Sequence, residues 1–478
     1  DMPSVIRRGI HPFLLASAMM VMLGCFSSPA AASFGVQPFY PSQEEDRTTA
    51  TGDVNGDGYI DLATGGDSGN VTIRLNDGEG SFGPAHSLLA EVAIRSIAIG
   101  QFVGDGSSDL AVGSSYTFLV FEGDGSGTFG PVPEIQQGTP AKSFAAGDLN
   151  GDGNPDFAAV DEQVEVLLGN GDGTFSTLAG FPAGDRPASV AISDLDGDTK
   201  LDLAVANAGS HDVSILLGNG DGTFRSAVSY PLENNHVVKN FFDDADMSLA
   251  VDDFDRDGAK DLAVSDSFAE GISVFRGDGT GSFGKITQLG GVSFPTSMTA
   301  ADFNSDSYVD IAASEYENGV KILAGYGAGR FRLISTLSAG STLLGISSAQ
   351  LNQDALPDLA ATRYYDGGVT VLLNRGPAAR LGRIGVGAPP GVKRSRPLTY
   401  RIAIPSAGDI ALQRVKLKVS GRGIRSRVLS LGALPAGTVK RLKVKVRPRL
   451  KGYLRARFRA TAANAKGSSA KEVTWVYG

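Results

Sequence analysis

Five nine-residue segments of the chain carry Asp at positions 1, 5 and 9 and Asp or Asn at position 3, and offer a backbone carbonyl at position 7. The first supplies Asp53, Asn55, Asp57 and Asp61 with the carbonyl of Tyr59; another supplies Asp148, Asn150, Asp152 and Asp156 with Asn154. Asp194, Asp196, Asp198 and Asp202 with Lys200, Asp253, Asp255, Asp257 and Asp261 with Ala259, and Asp302, Asn304, Asp306 and Asp310 with Tyr308 complete the set. Three or four carboxylates within nine residues repel one another unless a cation lies between them. A set of oxygens that can wrap one point suits a hard ion taking six to eight ligands at roughly 2.3–2.6 Å, which is Ca²⁺ rather than Mg²⁺ or Zn²⁺. A lone Asp-Gly turn needs no ion; the fivefold recurrence is what points to calcium.

Two further segments depart from the pattern. Gln101 and Val103 stand where ligands belong in the second segment, which keeps only Asp105 and Asp109 and is expected to hold no ion. The seventh, with Gln350, Asn352, Asp354 and Asp358, is incomplete at position 1. Catalytic constellations are sparse. Gly66-Asp67-Ser68-Gly69 looks like a serine-protease nucleophile string but falls in a predicted hairpin, and His86, His211 and His236 lack zinc-ligand spacing. No enzymatic activity is expected from these residues.

The elements that position the acidic segments follow from their spacing. First positions at 53, 101, 148, 194, 253, 302 and 350 are separated by 48, 47, 46, 59, 49 and 48 residues, a period that marks propeller blades of several short strands. A glycine-rich turn ending in Phe82, Phe129, Phe175, Phe224, Phe283 or Phe331 runs in phase, and these phenylalanines are expected to pack between blades. Ser33-Phe34-Gly35 matches Ser81-Phe82-Gly83, and Phe34 precedes Asp53 by the same 19 residues that separate Phe82 from Gln101. The N-terminal strand is therefore predicted to complete the last blade and close the ring, which leaves few exposed strand edges. The fold class is all-β: a seven-bladed β-propeller at 33–376, then a small β-sandwich at 377–478.

The run Leu-Leu-Gly-Asn-Gly-Asp-Gly-Thr-Phe at 167–175 and again at 216–224, together with the acidic segments, resembles the FG-GAP repeats of integrin α-subunit propellers and the related bacterial VCBS-type repeats. The resemblance spans residues 33 to about 376. It implies a seven-bladed propeller with calcium loops on the face opposite the usual ligand-binding face. It implies no particular ligand, because such repeats serve adhesins, lectins and enzyme-attached modules alike. One unit is longer: 29 residues separate Phe224 from Asp253, and the insertion around 234–243 falls in a 4–1 connection, where it either carries recognition or is a neutral surface loop.

The two ends differ in character. Arg7 and Arg8, an apolar run from Ile10 to Leu23 and Ser28-Pro29-Ala30-Ala31-Ala32 have the layout of a signal peptide over 1–32, with export to the extracellular space or cell surface. The single cysteine, Cys25, follows Met22-Leu23-Gly24 in an arrangement resembling a lipoprotein cleavage box. Residues 377–478 hold 24 Lys and Arg against Asp409 and Glu472, a net of +22, whereas residues 1–376 hold 19 against 50 acids, a net of −31. Apolar and basic residues alternate in Val415–Val419, Leu442–Arg447 and Leu454–Arg459, so the tail is read as strands and resembles an immunoglobulin-like module. Its expected contacts are an acidic envelope polymer or phospholipid head groups; nucleic acid and a transmembrane span are not expected. The whole reads as a secreted or surface calcium-binding propeller that binds a glycan, envelope polymer or surface protein, the alternative being a polysaccharide lyase or hydrolase.

Overall fold

A computed structural model describes residues 32–377 except 43–44, 132–139, 179, 233–246, 267–270, 318 and 341, and seven strands in the C-terminal part. The segment read as a signal peptide, with Cys25, and the insertion at 234–243 lie outside the described residues, apart from Ala32.

Seven four-stranded antiparallel sheets follow one another along 32–377. In the first blade the strands are Asp46–Gly52, Asp61–Gly66, Asn70–Arg74 and His86–Leu89. The pattern recurs through to the sixth, Pro295–Ala301, Asp310–Glu315, Gly319–Gly325 and Phe331–Leu337. The first strands of successive blades pack against one another round the ring, the first blade against the seventh included. The seventh blade takes three strands from Leu343–Ala349, Asp358–Arg363 and Gly368–Pro377 and its fourth from Ala32–Pro41, paired antiparallel to Gly368–Pro377. The predicted closure by the N-terminal strand is thus present. The strand begins at Ala32, one residue before the expected boundary, and Ala32 is itself buried against the sixth and seventh blades.

Second strands run Asp-Leu-Ala and are buried along their whole length in the first, second and fourth blades. They lie mid-sheet with a blade packed on each face, so both alternating sets of side chains must be apolar or small. Alanines such as Ala63, Ala111, Ala204 and Ala312, all fully buried, let neighbouring sheets approach. The turn phenylalanines do pack between blades, each back onto the blade before it. Phe129 joins Val71 and Ile73 of the first blade, Phe175 joins Phe102 and Phe118, Phe283 joins Val213 and Ile215, and Phe34 meets Phe303 at 6.1 Å between ring centroids. One hydrophobic seam per blade, repeated seven times, is the core.

In the C-terminal part, the strands Gly385–Gly387, Leu398–Pro405 and Val439–Val446 form one antiparallel sheet, and Arg427–Leu434, Leu412–Ser420, Gly452–Thr461 and Ser469–Tyr477 another. The stretches that alternate basic and apolar residues lie on these strands. Among the described residues no helix is long and apolar enough to cross a membrane.

Candidate metal loops and the face opposite them

Each acidic segment is the turn between the first and second strands of its blade, so all seven share one face of the ring. Their backbones are alike. Positions 4 and 6 take left-handed φ in every loop, whether occupied by glycine, as at Gly56 and Gly58 (73° and 86°), or not, as at Arg256 (65°), Thr199 (72°), Ser305 and Ser307 (59° and 69°). Non-glycine residues adopt that region at a cost of roughly 1–2 kcal/mol, so the loop geometry is held against local preference. Position 2 anchors the loop: Val54, Phe102, Leu149, Leu195, Phe254, Phe303 and Leu351 are all buried.

The curl turns backbone N–H groups onto the acidic side chains. Asp53 accepts from Gly56 and Gly58 at 2.8 Å each, Asn55 from Asp57 at 3.1 Å, and Asp57 from Tyr59 at 2.8 Å. The same ladder recurs at Asp148, Asn150 and Asp152, at Asp194, Asp196 and Asp198, at Asp253, Asp255 and Asp257, and at Asp302, Asn304 and Asp306. Carboxylate oxygens of Asp194, Asp196 and Asp202, and of Asp253, Asp255 and Asp261, lie within 4.8 Å of one another, close enough to share a metal ion. In the second loop Gln101 instead turns its amide Nε2 onto the carbonyl of Gly106 at 3.0 Å, a donor where the other loops present acceptors.

Position 9 has a role that its place in a ligand pattern does not disclose. Asp61 is fully buried; its Oδ2 accepts from Val54 N at 3.0 Å and its Oδ1 from Asn76 N at 2.7 Å, tying the loop to the end of the third strand. The equivalent pair of bonds is made by Asp109, Asp156, Asp202, Asp261, Asp310 and Asp358. All seven loops have this pin, including the second and seventh, whose other ligand positions have changed. At Asp61, Asp156 and Asp202 each oxygen accepts one of these bonds and retains a lone pair, so the pin and a cation are compatible there; Asp261 Oδ2 and Asp310 Oδ1 accept two bonds each and leave the other oxygen for an ion. Burial, reinforced by the carboxylates nearby, pushes Asp61 and Asp261 up to about 6 and Asp310 up to about 8; burial likewise raises Asp156 and Asp202. Such clusters of destabilised carboxylates fit a divalent cation.

Two loops already carry a side-chain cation. Lys200 Nζ lies 3.2 Å from Asp198, and Arg276, from the third strand of the fifth blade, reaches Asp255 at 2.8 Å and Asp257 at 2.5 Å. An alternation-based reading of the third strand does not reveal that position 276 overhangs the loop. Calcium entering the fifth loop must displace the guanidinium. Arg276→Gln is therefore expected to strengthen calcium binding at that loop by about tenfold, a change of roughly 1.4 kcal/mol, as measured by competition with a chromophoric chelator. The other loops should bind as before.

The 2–3 turns and 4–1 connections form the other face. Asp67, of the serine-protease-like string, is structural: it accepts from Arg47 Nε at 2.9 Å and from the Tyr364 hydroxyl at 2.7 Å, joining the first and seventh blades. Tyr116, Tyr365 and Phe294, at 79%, 66% and 52% exposure, all lie in turns of this face.

The FG-GAP-like repeat family model matches at residues 53–112, 101–159, 157–205, 194–264 and 253–313. No curated protein matches the sequence. Among solved structures, a chain of the BBS1N complex with ARL6DN is 12% identical with a TM-score of 0.52, covering 73% of this chain and 99% of that one. A structure of an Agrocybe aegerita lectin described as recognising non-reducing terminal N-acetylglucosamine is 18% identical, covering 64% and 81%, with a TM-score of 0.45. The WD40 domain of Toxoplasma gondii coronin is 12% identical, covering 73% and 87%, with a TM-score of 0.47. At these identities the likeness is one of fold. Five matches that together span more than half the chain, and take in six of its seven loops, show that the chain belongs to the FG-GAP-like repeat family.

Proposed function

We propose that the protein is an exported, calcium-stabilised binding module that engages a glycan, envelope polymer or surface protein. Calcium would sit in the first, third, fourth, fifth and sixth loops, held by the side chains at positions 1, 3, 5 and 9 and the position-7 carbonyl. There it would offset the mutual repulsion of these clustered carboxylates, displacing Lys200 and Arg276 from the fourth and fifth loops. Its task is stability: the loops repeat one geometry five times on a single face, whereas a ligand site would need a feature that differs between blades. The observation that carries the binding role is that three of the four exposed aromatic side chains among the described residues, Tyr116, Tyr365 and Phe294, lie on the opposite face, with Tyr326 alone on the acidic-loop face. Large apolar rings left in water on a rigid scaffold suit contact with a partner. The basic tail, of net charge +22, adds an electrostatic attraction to acidic polymers or phospholipid head groups.

The test is an array of glycans, envelope polymers and surface proteins probed with calcium and with chelator. Ligand capture that chelator abolishes is the expected result. Catalytic turnover of a polysaccharide, lost on changing a channel residue, would replace this reading with an enzymatic one.

A further inference from the structure

The mouth of the central channel on the face away from the acidic loops is a pocket of about 280 Å³. It is lined by the opening residues of the first strands, and its charged lining residues are Arg47, Arg95, Lys142 and Arg186, from four consecutive blades. No carboxylate lines it among the described residues. Residues 1–376 carry 50 acids against 19 bases, so four cations gathered at one opening run against the composition. Their carboxylate partners stand outside the pocket: Arg47 and Arg95 share Asp67, at 2.9 and 3.5 Å, and Lys142 meets Asp161 at 2.8 Å.

Below the cations runs a ring of hydroxyls. Five residues before the first position of each acidic loop stand Thr48, Ser96, Ser143, Ser189, Ser248 and Ser297, with Gly345 in the seventh blade, and all seven line the pocket. A hydroxyl both donates and accepts, so the ring presents interchangeable partners of the kind a sugar's own hydroxyls require. The exposed rings of Tyr116, Tyr365 and Phe294 lie in turns of the same face and offer flat apolar surface for the C–H faces of further sugar units. The volume lies at the lower edge of ligand pockets, which run roughly 300–1,000 Å³. It therefore suits one sugar residue rather than a chain threaded through the ring.

From the cationic arc, the hydroxyl ring and the size, we infer that the channel mouth binds a single anionic sugar residue, bearing a carboxylate or a sulfate ester, at the end or branch of a polysaccharide. This rests on the reading of the protein as a binding module and names the chemistry of its ligand. The cations meet the charged group, and the ring meets the hydroxyls.

The experiment is calorimetric titration of the calcium-loaded full chain with a uronate trisaccharide, a sulfated disaccharide, the neutral counterpart of each, and inorganic sulfate. The expected result is one site per chain for the uronate or the sulfated sugar, at least tenfold weaker binding of its neutral counterpart, and affinity that falls as salt is raised. The double variant Arg95→Gln/Lys142→Gln should weaken that binding at least tenfold. It should leave the calcium stoichiometry unchanged and lower the melting temperature only slightly, because Asp67 keeps Arg47 and Tyr364 and the introduced amide at position 142 can still donate to the buried Asp161 Oδ1. Acidic-sugar binding that survives in the double variant belongs to the basic tail and overturns the assignment. So does equal binding of neutral and acidic sugars, or binding of inorganic sulfate alone. Capture of a neutral glycan or a surface protein in the array, with no acidic sugar bound at this site, would overturn the pocket assignment and leave the module reading standing.

Discussion

Titrated with calcium at pH 8, the metal-free chain is expected to take up five ions and to melt more than about 10 °C higher than in chelator. Five loops present complete ligand sets, while the second has Gln101 and Val103 at positions 1 and 3 and the seventh has Gln350 at position 1. An ion that binds only the folded state adds about 2.7 kcal/mol per site at a hundredfold excess over its Kd. A kilocalorie moves the midpoint of a domain of 150–250 residues by roughly 2–4 °C, so even partial coupling of five sites gives a large shift. The gain should shrink between pH 8 and pH 5. Asp61 and Asp261 are raised to about 6 and Asp310 to about 8, from 3.8. A carboxyl raised in the folded state stabilises the fold while protonated, fully below the unfolded value, and that contribution is lost as pH rises through the folded value. In chelator, therefore, stability falls from about pH 4 towards pH 8. Calcium offsets that fall at high pH but must compete with protons at pH 5. Asp194→Asn combined with Asp196→Asn should lower the count to four with little effect in chelator. Asp202→Ala, by contrast, should destabilise even in chelator, since its carboxylate accepts from the buried N–H groups of Leu195 and Gly218 and each orphaned group costs about 1–3 kcal/mol. A melting curve indifferent to chelator would remove calcium from the account, and a count of seven would show that the second and seventh loops hold ions as well.

The contrast between positions 1 and 9 shows where sequence reading succeeds and where it stops. The blades were legible because one period carries several signals at once: the acidic turn, the glycine-rich turn and its phenylalanine keep a fixed phase, and the 19-residue interval from Phe34 to Asp53 shows the N-terminal strand standing in the same phase. Position 9 was legible as an oxygen but not as a pin. Its partners are the backbone N–H of loop position 2, seven residues earlier, and one at the end of the third strand, 15 residues later at Asp61, and neither has a side-chain signature. The retention of Asp109 and Asp358 in loops that have lost other ligands was the available clue. Arg276 and the channel-mouth cations were missed for a related reason. Arg47, Arg95 and Lys142 each stand six residues before an acidic loop, but one cation per blade at a strand's start is unremarkable until the ring brings successive blades together.

Ring closure carries the other large effect. A chain starting at residue 42 rather than 32 is expected to aggregate or to melt more than about 10 °C lower, because the lost strand binds both sides of the junction. Towards the sixth and seventh blades, Ala32 is buried and Phe34 packs on Phe303. Towards the first, the Tyr40 ring meets Phe82 at 5.4 Å and its hydroxyl accepts from Phe82 N at 3.2 Å, while Arg74 donates to the carbonyls of Pro41 at 2.5 Å and Gly83 at 3.0 Å. Phe39 lies beneath the Arg363 guanidinium at 4.3 Å, which itself donates to Ala339 O at 2.8 Å. Removing the strand exposes the backbone of Gly368–Pro377 as an open edge and uncovers apolar side chains on two blades, the combination that favours edge-to-edge association. Phe34→Ser alone should cost about 2 kcal/mol, less than a fully buried large-to-small change because Phe34 is half-buried, a milder loss that leaves the edge paired. A synthetic peptide of residues 32–41 added to the shortened chain should restore part of the melting temperature, since strand addition satisfies both the hydrogen bonds and the seam. If the shortened chain melts like the full one, the ring is held shut by the contacts between its first and seventh inner strands, and the N-terminal strand is an accessory to a fold that closes without it.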